Sequence, residues 1–107
     1  MRESLLSFAD AMAGTDKARA KAAKAAMAQA VHKACAPGGD KALRAALIKE
    51  LLMIVSSSRP RLVRAHAIAL LGFIGSKAND KALAALAADP ELKEDIRMAR
   101  ERLRRSG

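Results

Sequence analysis

The chain has 107 residues, room for one small domain and not for two. Lys and Arg number 20 against 11 Asp and Glu, a formal net charge of +9, so acidic partners are expected and basic ones are not. Hydrophobic residues make up 51% of the chain, against the composition of disorder, and 26 Ala beside two Phe, no Trp and no Tyr exclude a mainly β domain. The single Cys35 cannot form an internal disulfide, which removes the stapled secreted scaffolds. No apolar run reaches the ~20 residues of a membrane span. The longest, Ala65 to Gly75, is broken by His66. Asp10 interrupts the short apolar patch Leu5-Leu6-Ser7-Phe8, so no leader peptide and no membrane partner are expected, and the location expected is cytoplasmic.

Punctuation residues divide the chain into six helical pieces. The first runs from about Ser4 to Ala13 and stops at Gly14, with Leu5, Phe8, Ala9 and Met12 on one face. Thr15 and Asp16 can cap the second, which continues about 30 Å to Cys35 before Ala36-Pro37-Gly38-Gly39. One stripe of it holds Ala20, Ala23, Met27, Ala30, Val31 and Ala34, and another holds Lys17, Lys21 and Lys24. Asp40 caps the third piece, Lys41 to Val55. Its apolar arc of Leu43, Leu47, Leu51, Ile54 and Val55, widened by Ile48 and Leu52, predicts packing on more than one side, in the middle of the domain.

Pro60 suits the first turn of the fourth piece, which carries Val63, Ala67, Leu70, Leu71 and Ile74 and ends around Gly72 and Gly75. Asp80 can cap a short fifth piece with Leu83 and Leu86. Asp89-Pro90 starts the sixth, which reaches about Arg104. An internal echo supports the division: Asp40-Lys41-Ala42-Leu43 recurs as Asp80-Lys81-Ala82-Leu83, and a weaker Asp16-Lys17-Ala18 precedes both. Such spacing between helix pairs is a property of helical solenoids.

The segment Val63-Arg64-Ala65-His66-Ala67-Ile68-Ala69-Leu70-Leu71-Gly72-Phe73-Ile74-Gly75 resembles the first helix of a HEAT-like repeat, of the short type found in phycobilisome-lyase-like proteins. Asn79-Asp80-Lys81-Ala82-Leu83 is similar to the start of that repeat's second helix, and Pro60 to Asp89 carries the match. The resemblance implies an all-α, short HEAT-like α-solenoid of six helices in antiparallel pairs, with residues 16 to 55 as the preceding pair. The sixth piece echoes the next first helix through Ile96-Arg97, but charged residues stand where Ala and Leu-Gly would be, as in a terminal cap that meets water. It also implies that Arg64 ties neighbouring repeats together, with Asp40 and Asp80 as further structural inter-repeat residues. Glu50, at the edge of the third helix's apolar arc, is the expected partner, and Arg44 is a second polar tie.

Little in the chain suggests catalysis. His32 and Cys35 sit three apart on one helix, but a zinc site wants three or four ligands and only His66 remains, so no metal is expected. No phosphate-cradling Gly-rich loop follows a strand, so no cofactor is expected. His66 flanks an apolar stripe and reads as a packing residue, and no carboxylate pair stands out. The chain is therefore expected not to be an enzyme.

The basic residues carry the functional expectation. Arg59, Arg61 and Arg64 fall within six positions, and no acidic residue occurs between Leu51 and Asn79. Lys93, Arg97, Arg100 and Arg104 recur at i, i+4, i+7 and i+11, with Glu94 and Glu101 placed to pair with Arg97 and with Arg104 or Arg105. This surface is expected to bind an acidic protein segment without catalysis. The alternative is sequence-independent binding of a nucleic-acid backbone through Arg59, Arg61 and the sixth-helix stripe. Base stacking is disfavoured, because Phe8 and Phe73 are expected in the core. A third possibility is an accessory subunit of a lyase-like HEAT enzyme. Open solenoid ends would also allow a homodimer through Leu5, Leu6, Phe8 and Met12.

Overall fold

The computed structural model describes residues 5–36, 38–75, 79–86 and 89–105. Within them the chain forms α1 (Leu5–Met12), α2 (Lys17–Ala34), α3 (Lys41–Val55), α4 (Arg61–Ile74), α5 (Asp80–Leu86) and α6 (Lys93–Arg105), with no strand. Ser4, the expected start of the first helix, and Pro37, in the expected break after the second, lie outside the described residues.

Aspartate side chains set the starts of α2 and α3. Asp16 accepts from the Arg19 N–H at 3.1 Å and opens α2; Asp40 accepts from the Ala42 N–H at 2.8 Å and opens α3. Between these helices Gly38 adopts φ +82°, a left-handed conformation that a side chain would resist. Two expected starts differ. Asp80 is the first residue of α5 rather than the residue before it, and its carboxylate goes to Arg100 at 2.8 Å. Asp89 builds a turn instead of opening α6: its side chain accepts from the Glu91 N–H at 3.0 Å and its carbonyl from the Leu92 N–H at 3.1 Å. The helix proper begins at Lys93.

Helix α4 is the most enclosed, with Val63, Ala67, Ile68, Leu70, Leu71, Gly72 and Ile74 all buried. It packs against α2, α3 and α6. The wide arc of α3 meets α1, α2 and α4, as its breadth predicts, and buries Leu47, Leu51, Ile54 and Val55. Helix α1 spends Leu5 and Ala9 on the same core, with Leu6, Phe8 and Met12 packed partly against it. By contrast α2 buries only Ala23, Met27, Val31 and Ala34 over 18 residues, with Ala28 and Ala30 packed partly against the core.

The pairing of helices differs from the division by resemblance. That division joins α4 to α5 and α2 to α3, whereas the main contacts join α1 to α2, α3 to α4, and α4 to α6, with α5 seated on α6. The cause is local: the seven-residue α5 is tied to α6 through Asp80 and Arg100, and Arg44 of α3 donates to the Ile74 carbonyl at the end of α4, 3.3 Å away. The resulting slab measures 38 × 37 × 16 Å between Cα extremes.

Close approach of α4 and α6 depends on small residues. A Cβ placed on Gly72 would lie 3.2 Å from the Ala99 Cα and 3.3 Å from its Cβ. Replacing Gly72 with Leu is therefore expected to wedge the two helices apart and cost about 1–3 kcal/mol by overpacking. Urea unfolding checks this: the midpoint should fall while the slope stays unchanged.

Candidate functional site

The expected basic surface divides into residues that are tied down and residues that are not. Arg59 is tied to Asp10, with Nη2 2.9 Å from Oδ1. Arg61 donates to the Glu91 carbonyl at 3.1 Å and pairs with Asp95 at 3.3 Å. On α6, Arg97 is held between Glu94 and Glu101 on its own helix. Arg100 reaches Asp80 at 2.8 Å. Glu101 thus joins Arg97 rather than Arg104 or Arg105. Lys93 and Arg104, among the described residues, form no ion pair. They border a cleft of about 500 Å³ with Pro90, Ile96 and the paired Arg97. Three carboxylates stand beside the four cations of this stripe, so it offers far less free positive charge than its spacing suggests.

Arg64 is a structural tie, though to a different partner. Its Nε donates to the Arg59 carbonyl at 2.7 Å, Nη1 meets Asp89 at 2.8 Å and Nη2 meets Glu91 at 3.3 Å. Glu50, the expected partner, instead accepts from the Leu5 N–H at 3.2 Å and fixes the start of α1. The reason is reach: Arg64 leaves α4 toward the turn ahead of α6, where two carboxylates wait. That contact holds the Asp89 carboxyl below its ordinary range, through hydrogen bonding with Arg64 first and the Glu91 N–H second. Arg100 lowers Asp80 in the same way. Asp40 remains a cap and ties no second helix.

All described carboxylates are engaged inside the chain. Asp16 and Asp40 hold helix starts, Glu50 holds α1, and Asp10, Asp80, Asp89, Glu91, Glu94, Asp95 and Glu101 pair with arginines. No described lysine takes part in an ion pair. A stripe of unpaired charge with no acid near it in sequence is on α2, where Lys17, Lys21 and Lys24 are all exposed and no acidic residue occurs between Asp16 and Asp40. This stripe is visible in the sequence, and the missing acids are the signal that distinguishes it from α6, which carries Glu94, Asp95 and Glu101.

The two histidines border that stripe. His32 is exposed, and its ring stacks on Phe73 with centroids 4.5 Å apart and planes at 28°. Phe73 is 48% exposed, not a core residue. It shares the α4 stripe of Leu62, His66 and Ala69, which faces away from Val63, Ala67 and Ile74. Helix α4 is apolar nearly all round, so its sequence alone does not choose the face that sinks. Phe8 packs partly on the core, as expected. His66 lies beside the Lys24 backbone of α2, and its Nε2 is buried without a partner among the described residues. Among the described residues no group of three or more His, Cys, Asp or Glu is arranged to hold a metal, and no helix is long and apolar enough to cross a membrane.

No family model matches this chain, and neither a curated protein nor a solved structure is similar to it.

Burial, and then the charge of Lys24, lower the His66 pKa from its ordinary value. The unfolded chain therefore binds the proton more readily, and stability present above the ordinary pKa is lost as pH falls below it. Urea midpoints taken between about pH 7.5 and about pH 5.5 should decline on the acid side, and the decline should flatten in His66→Gln. A separate variant addresses the Arg64 tie. Arg64→Lys should melt several degrees lower than the parent and recover little relative to Arg64→Ala, because an ammonium cannot serve a carbonyl and two carboxylates in one plane.

Proposed function

We propose that this chain is a non-catalytic binding module, a short HEAT-like α-solenoid whose basic surface receives an acidic protein segment. The observation that carries the reading is the use of its carboxylates. With each described Asp and Glu already committed to an arginine, a helix start or α1, the unpaired lysines have no internal counter-charge. Surplus charge held on a preformed helical surface is suited to an acidic partner.

The solenoid part of the reading has its own support. Lys24 beside His66 and His32 on Phe73 make α2 and α4 run in the same direction. Arg61 beside Asp95, and Gly75 beside Leu103, do the same for α4 and α6. Leu5 at Glu50 and Asp10 at Arg59 align α1 with the course of α3. Arg44 at the end of α4 reverses α3 relative to α4. Two packed helix layers would span roughly 13 to 15 Å between outer Cα atoms, close to the shortest dimension of 16 Å. The natural units are then α1 with α2, α3 with α4, and α5 with α6.

A second reading keeps the phosphate backbone of a nucleic acid as the partner. The exposed Phe73 favours it, since an aromatic face is available where none was expected. Fluorescence anisotropy separates the two. Labelled polyglutamate should bind at roughly 50 mM salt and weaken at roughly 200 mM, with mixed-sequence duplex DNA and single-stranded RNA binding no more tightly. Tighter binding of either nucleic acid would overturn the acidic-protein reading in favour of the second.

A further inference from the structure

Three of the four exposed large apolar side chains among the described residues share one face with a group of unpaired cations; the fourth, Met53 of α3, lies apart from them. Leu62 and Phe73 of α4 are 74% and 48% exposed, and Met98 of α6 is 51% exposed. Leu62, Ala69 and Phe73 occupy a single stripe of α4, about 16 Å from end to end. On one flank runs α2, in step with it: the Lys24 backbone lies beside His66 and the His32 ring covers Phe73. Lys17 and Lys21 lie on the same α2 stripe as Lys24, one and two turns before it, level with the Leu62 end of α4. On the other flank, Ala69 of α4 shares a small hollow of about 110 Å³ with Met98 and Arg102 of α6. Arg102 and Arg105 follow Met98 at i+4 and i+7, are exposed, and form no ion pair among the described residues.

We propose that this face of α2, α4 and α6 docks an acidic amphipathic helix of a partner protein. The inference rests on the reading of the chain as an acidic-protein binder and adds where the partner sits and what it looks like. Single exposed apolar residues need no explanation, but three of them lining a strip between two rows of unpaired cations are a different matter. The partner helix lays Leu- or Phe-like residues at i, i+4, i+7 and i+11 along Leu62, Phe73 and Met98. Its carboxylates flank that stripe on both sides, toward Lys17 and Lys21 in one direction and Arg102 and Arg105 in the other. A nucleic-acid backbone would satisfy the cations but leave Leu62 and Met98 in water. Asp95, the acidic residue at the rim of the hollow, is already held by Arg61.

The test uses the whole chain and two labelled synthetic peptides of identical composition. One has a Leu/Phe stripe at helical spacing flanked by Glu, and the other is scrambled to break the stripe while keeping the charge. Anisotropy titrations are run on the parent, on Leu62→Ser/Phe73→Ser, on Lys17→Glu/Lys21→Glu, and on Lys93→Glu/Arg104→Glu; circular dichroism confirms that each is folded. The striped peptide is expected to bind the parent at least about tenfold more tightly than the scrambled one. The Leu62/Phe73 pair should erase that preference, the Lys17/Lys21 pair should weaken both peptides the most, and the Lys93/Arg104 pair should leave the preference for the striped peptide intact. Equal binding of the two peptides, or loss confined to the Lys93/Arg104 variant, overturns this docking face while leaving an acidic partner in place. Binding of neither peptide overturns the face and the acidic-partner reading together.

Discussion

Contact between α4 and its three neighbours is the constraint on which the rest of the molecule depends. A chain with two Phe and no Trp or Tyr has no bulky side chain to span a wide gap, so its helices must come close. They do so through small residues: Gly72 meets the Ala99 backbone, and Ala67 is fully buried. Close approach then lets short aliphatic side chains such as Val63, Ile68 and Leu71 fill the interior at ordinary density. It also decides which polar groups can meet. Arg61 and Arg64 reach the turn before α6 because α6 lies against α4, and Arg44 reaches the Ile74 carbonyl because α3 does.

These polar ties explain why net charge is a poor guide to where charge is available. Arg44, Arg59, Arg61, Arg64 and Arg100 spend their forks on carboxylates and carbonyls between elements, where planar, two-point geometry serves best. Lysines, with one mobile ammonium, are left facing water. A partial division of labour follows: five arginines tie elements together, while the lysines and the free arginines of α6, Arg102, Arg104 and Arg105, give the fold its electrostatic exterior. The stripe on α6 looks like a binding surface by spacing and is in large part internal scaffolding.

Much of this was legible in the amino-acid sequence. Six helices, their approximate limits and the caps at Asp16 and Asp40 follow from local rules that tertiary contacts do not disturb. The starts at Asp80 and Asp89 were less legible, because each carboxylate found a distant arginine that no local rule could supply. The same is true of Arg64, whose partner lies 25 residues away at Asp89 rather than at Glu50. Phe73 was misplaced in the core because a helix apolar on most of its circumference has no amphipathic pattern to read. On α2 the opposite holds. Its stripe of lysines is plain in the sequence, and what the sequence does not show is that Arg59, Arg61, Arg97 and Arg100 are each held by a carboxylate.

The thin anchoring of α2 has a consequence for motion. Its core contribution is Ala23, Met27, Val31 and Ala34, of which two are no larger than a methyl group, and its outward surface carries Ala18, Ala22 and Ala25 in water. Little apolar area is exposed when this helix lifts, so its opening free energy sits at the low end of the range within the domain. Amide hydrogens of α2 are therefore expected to exchange sooner than those of α3 or α4. A molecule lying across α2 and α4 would clamp a thinly anchored helix to the most enclosed one, and would register as slowed exchange along α2.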